Sequence, residues 1–117
     1  MGLSPMVVEA ALLRLGGTEG ALVLLPGSPY IWMAEPFSAV PTSYAVQAGR
    51  QRWWGNCIWD ALAILALVKR DGTVSTLCPD CGEALTVAVA AGAPAPADLV
   101  AHFAVPARDW WRSIGYT

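Results

Sequence analysis

The stretch NCIWDALAILALVKRDG, residues 56–72, constrains the fold of this chain more than any other. Between Asn56 and Lys69 it carries one charged residue, Asp60, and apolar side chains fill nearly every other position. A helix apolar almost all round has no face to give to water, so the pattern predicts a buried helix from Asn56 to about Lys69. Asn56 is the expected N-cap, Lys69 and Arg70 suit the negative C-terminal end, and Asp71-Gly72 supplies the stop. The longest apolar run, Ala61 to Val68, falls far short of the roughly 20 residues that a spanning helix needs. The helix therefore reads as the core of a globular domain with no membrane partner.

Strand signals surround it. Ala21–Leu25 and Tyr30–Ala34 are short apolar runs joined by PGSP, which predicts a hairpin. Tyr44–Val46 follows a proline-punctuated connector, EPFSAVPTSY. Thr73–Leu77 and Ala84–Ala90 are β-rich and flank CPDCG. AAGAPAPAD reads as a loop, Leu99–Val105 as a strand and Pro106–Ile114 as a closing helix. At the other end, Ser4-Pro5 begins a helix that Gly16-Gly17 ends, with Val8, Leu12 and Leu15 on one face. The fold class that follows is α+β, a small, largely antiparallel sheet packed around the central helix.

Composition narrows the function. Hydrophobic residues make up 56% of the 117 and charged residues 14%, which points to a deep core, an apolar pocket or a partner surface. A net charge of −2 with seven basic residues argues against a nucleic-acid partner, because phosphate binding needs a concentrated basic surface. No basic segment leads into a long apolar one at the N-terminus, so a cytoplasmic location is expected. Three cysteines without an export signal read as thiols or metal ligands sooner than as a disulfide framework.

Two groups could do chemistry. Cys57 and Asp60, three residues apart, project from one helical face. The helix N-terminus favours thiolate at Cys57, and an apolar setting keeps Asp60 protonated and ready to donate. The same residues also fit a small buried hydrophobe beside a capping or ion-paired acid. Cys78 and Cys81 form a knuckle whose thiols could share a metal, pair as a disulfide, or simply shelter in a tight turn. Zinc would want four ligands, with Cys57 and His102 as the further candidates; His102 otherwise reads as a satisfied core or edge histidine. Trp53, Trp54, Trp110 and Trp111 are packing residues or the walls of an apolar pocket.

FSAVPTSYAV, then WWGNCIWDALAILAL, TLCPDCGEAL and HFAVPARDWWRSIGYT together resemble the organomercurial (alkylmercury) lyase family. N-C-x-x-D-A-L in a buried helix is the most specific part. The opening GLSPMVVEAALLRL…GALVLL is similar to the last helix and wing of the winged-helix region that precedes the lyase core, without that region's first helices. The resemblance implies residues 1–35 as a winged-helix-like remnant and 36–117 as the lyase-like core, together one unit. It implies cleavage of a carbon–mercury bond by two cysteines and one aspartate with no cofactor. Cys57 takes the role of the first thiolate and Asp60 that of the acid delivering a proton to carbon. Phe37, Trp53, Trp54 and Trp59 are then expected to wall the pocket. The family's second thiolate would follow an aromatic–threonine stretch after the tryptophan-bearing helix, and no residue through Thr117 matches it. Cys78, Cys81 or a thiol from a second chain would stand in, which makes a homodimer an expected assembly and Cys57, Cys78 and Cys81 the expected ligands for mercury or zinc. The readings beside it are a lyase-like enzyme acting on another small hydrophobic substrate, with Cys57 as nucleophile, and a non-catalytic metal- or thiol-binding module.

Overall fold

A computed structural model describes residues 2–17, 20 and 22–115. Helix α1 (Pro5–Gly16) starts as its sequence requires, with the Ser4 hydroxyl accepting the Val7 N–H at 3.4 Å. Two short strands, β1 (Val23–Leu24) and β2 (Ile31–Ala34), form the expected hairpin across PGSP, and β3 (Phe37–Ser38) adds antiparallel to β2. Ala21, the expected start of the first strand, lies outside the described residues. The expected division at residue 35 falls in the turn of the β2–β3 hairpin, so one ladder joins the two segments.

The second sheet has five antiparallel strands: β4 (Ala45–Ala48), β5 (Gln51–Trp54), β6 (Gly72–Leu77), β7 (Ala84–Ala90) and β8 (Ala93–Ala95), in the order β5-β4-β6-β7-β8. Strand alternation turns one face inward. Val46 pairs with Val74 and Val74 with Val87, a row of three valines across the sheet. Helix α2 (Ile58–Val68) lies on that row, burying Ala61, Ile64 and Leu65 completely. Each fully buried Ile or Leu contributes about 1.5–3 kcal/mol, more than any difference in helix propensity along the segment.

Five expectations need correction. The apolar helix is not enclosed: Trp59 and Leu67 are 64% and 62% exposed, because the sheet covers only one side of α2. Its stop is Lys69, in the left-handed region at φ 52, and Gly72 opens β6. A Cβ at Gly72 would overlap the Gln47 carbonyl oxygen and lie 2.7 Å from Leu65 Cδ2, so glycine is needed there for close approach of sheet and helix. Within the expected loop AAGAPAPAD, residues 90–98, Ala93–Ala95 pairs with β7 as an edge strand. Leu99–Val105 forms no strand: residues 99–102 are exposed and no ladder takes them as a partner, which a strand needs to satisfy its backbone. The closing helix shortens to a 3-10 turn, Ala107–Arg112. No helix among the described residues is long and apolar enough to cross a membrane.

Candidate active site

The site forms where β5 passes into α2. Gly55 bridges to Phe37, donates its N–H to the Tyr44 carbonyl at 3.0 Å and accepts the Thr42 hydroxyl at 2.6 Å. FSAVPTSY and WWGNC thus lie together because Thr42, Tyr44 and Phe37 clamp the residue two before Cys57. A Cβ on Gly55 would come 2.7 Å from the Ala61 nitrogen and 2.8 Å from its Cα. Only glycine lets the first turn of α2 sit so close to the strand.

Cys57 itself caps the helix. Its backbone is extended (φ −141, ψ −177), and its sulfur accepts the Asp60 N–H at 3.5 Å. Asn56, the residue expected to cap by propensity, instead turns its carboxamide inward, where neither polar atom has a hydrogen-bond partner. It lies near enough to the Asp60 carboxyl to favour the charged form without reaching hydrogen-bond geometry.

Burial dominates the electrostatics. It pushes the Asp60 carboxyl above its ordinary range, against the opposing pull of Asn56 and Cys57. It also raises the Cys57 thiol; the N–H groups of Asp60 and Trp59 pull the other way, but the Asp60 charge adds to the rise. The expectation of a thiolate activated by the helix N-terminus is therefore reversed: desolvation outweighs the terminal N–H groups, and the free site favours a thiol.

Both side chains face a cleft of 620 Å³, within the range of small-molecule sites. From α2 come Trp59, Ala63 and Leu67, and from the tail Phe103, Trp110, Trp111 and Ile114. Met33 and Glu35, from β2 and the turn after it, complete the wall. Trp110 is anchored by its Nε1–H to the Val105 carbonyl at 2.8 Å and by the Phe103 ring at 5.1 Å. Glu35 is the residue that sequence reasoning missed. Burial and then the Asp60 charge raise its carboxyl, so the cleft holds two acids that resist ionising together. The available signal was its isolation, since it is the sole acid between Gly20 and Trp59.

Of the aromatics expected to wall the pocket, Trp59 does so. Phe37 and Trp53 pack against the core, and Trp54 is exposed on β5. Cys78 and Cys81 stand at the β6–β7 turn and do not border the cleft. Among the described residues no three Cys, His, Asp or Glu side chains converge as a metal would require; the structure does not bring Cys57, Cys78 and Cys81 together. His102 is exposed in the irregular segment, neither in the core nor on a strand.

An α+β scaffold that presents a thiol and a carboxyl raised above its ordinary range to one apolar cleft defines a thiol–acid site suited to a soft, hydrophobic ligand. Residues 37–117 match the alkylmercury lyase (MerB) family, and the chain belongs to it. Among solved structures it is similar to the crystal structure of the mercury-bound form of MerB2, with a TM-score of 0.59 and 20% sequence identity. That likeness, one of fold, covers 80% of this chain and 45% of the other, so the chain spans less than half the length of that relative. No curated protein matches it.

Proposed function

We propose that the chain binds small hydrophobic organomercurials at Cys57 and protonates the carbon bound to mercury from Asp60. The observation that carries this reading is the pairing of the Cys57 sulfur with the first turn that holds Asp60, both facing one apolar cleft. Mercury, a soft metal, replaces the thiol proton, forming an S–Hg bond while the organomercurial's other ligand departs with that proton. Asp60, whose carboxyl burial raises above its ordinary range, then gives its proton to carbon; the carbon–mercury bond breaks, hydrocarbon leaves, and the ion remains on sulfur. Met33 is the other sulfur-bearing residue on the cleft among those described, and as a thioether it is a weaker soft ligand. No cofactor enters this chemistry, and mercury is cargo.

A cytoplasmic location and a homodimer belong to the same reading, with residues 1–35 acting as part of one unit with 36–117, since Met33 and Glu35 line the cleft. The test is headspace detection of benzene from phenylmercury by wild type, Cys57→Ser and Asp60→Asn. Wild type is expected to release benzene and Cys57→Ser to release none. Wild type that binds phenylmercury and releases nothing would reduce the function to capture.

A further inference from the structure

The hairpin tip between β6 and β7 is organised for more than chain reversal. Its ladder runs unbroken from Gly72↔Val89 to Leu77↔Ala84. Beyond it, Cys78 donates its N–H to the Glu83 carbonyl and accepts that of Gly82, both at 2.8 Å, with Gly82 at φ +74. The N–H groups of Cys81 and Asp80 and the Cys81 thiol pull the Cys78 thiol below its ordinary range. Cys81 is exposed, Cys78 is half-buried, and neither is in a disulfide. Cys78 and Cys81 thus share one turn whose backbone is already fixed, and among the described residues no third Cys, His, Asp or Glu joins them as a ligand. Zinc, which wants four ligands, is poorly served by this pair. A soft ion satisfied by two thiolates is well served.

We infer that Cys78 and Cys81 form a second mercury site, a dithiol that chelates the inorganic mercuric ion; that this ion is its cargo rests on the proposed function. When the ion arrives as a complex with two small thiols, two Hg–S bonds form at Cys78 and Cys81 and two break. Each cysteine proton leaves on a departing small thiol, and mercury stays at +2 throughout. Because the second bond is intramolecular, the pair should outbind one protein thiol by about 10²–10⁴-fold.

The test equilibrates reduced protein with mercuric chloride in excess glutathione and measures retained mercury after dialysis. Wild type and Cys57→Ser are each expected to keep one ion per chain, and Cys81→Ser and Cys78→Ser to lose it with affinity lowered at least about 10²-fold. In wild type, thiols titratable with Ellman's reagent should fall from three to one on loading, a count that needs no variant. Retention by Cys81→Ser equal to wild type, loss in Cys57→Ser, or a fall of a single thiol would overturn the inference. Failure of the lyase reading would show separately, as absent benzene release from wild type.

Discussion

The Cys57 sulfur accepts the backbone N–H of Asp60 at 3.5 Å, so the thiol caps the helix that carries its acid. The two groups are fixed in register by one turn of backbone, and neither can shift without loosening that turn.

Asp60→Asn should separate stability from activity. Burial keeps the folded carboxyl above its ordinary value of 3.8. Across the interval from 3.8 to the raised value the folded state holds the extra proton, so stability falls as pH rises through it and stays lowered at neutral pH. Asn cannot ionise. The variant should melt higher than wild type near neutrality, with the difference vanishing below about pH 3.8. Hydrocarbon release should drop by about 10²–10⁴-fold while mercurial binding persists. Thermal melts across pH, run beside headspace assays, check both, and equal cleavage by the variant would make Asp60 structural.

Thiol labelling should place Cys78 ahead of Cys57. Burial raises the Cys57 thiol, whereas the N–H groups of Cys81 and Asp80 lower that of Cys78. Iodoacetamide modification at neutral pH, followed by peptide mapping, should find Cys78 modified first, the gap narrowing as pH rises. Faster labelling of Cys57 would mean that the helix terminus outweighs desolvation after all.

Gly55→Ala should displace α2, because the new methyl meets the Ala61 backbone. Overpacking of this kind costs about 1–3 kcal/mol, and urea denaturation should report it. Thr42→Val removes the hydroxyl that satisfies the Gly55 carbonyl, at a cost of about 1–3 kcal/mol. Variants as stable as wild type would show that the clamp does not set the helix position.

Self-association should involve α1. None of its residues is buried, and Met6 and Leu13, seven apart on one face, are 81% and 50% exposed, a stripe that a second copy would cover. Sedimentation velocity at micromolar concentration should show a dimer that Met6→Lys together with Leu13→Lys converts to monomer. A wild-type monomer would remove the dimer from the proposed function.

The elements legible in the sequence were those whose pattern and partners are local. The Thr73–Leu77 and Ala84–Ala90 strands alternate cleanly and are joined by a short turn, so they appear nearly where expected. Cys57 and Asp60 share a helical face through spacing alone. What escaped depends on tertiary placement. Glu35 meets the Asp60 charge only because the β2–β3 turn folds over α2, and Asn56 yields the cap to Cys57 once its side chain is drawn inward. The 99–105 run has strand composition but joins no ladder. The tryptophan pair 53–54 could not be assigned to core or pocket without the sheet's facing.

The cleft has two builders. Thiol and acid stand on the β5–α2 junction, clamped by Gly55, while Phe103, Trp110 and Trp111 come from the irregular tail, whose Gly115 rests against the Trp32 ring so closely that a Cβ would lie 2.7 Å from Cζ3. Descent can therefore rewrite one without disturbing the other. Substitutions between 103 and 114 can resize the mouth while Cys57 and Asp60 keep their places.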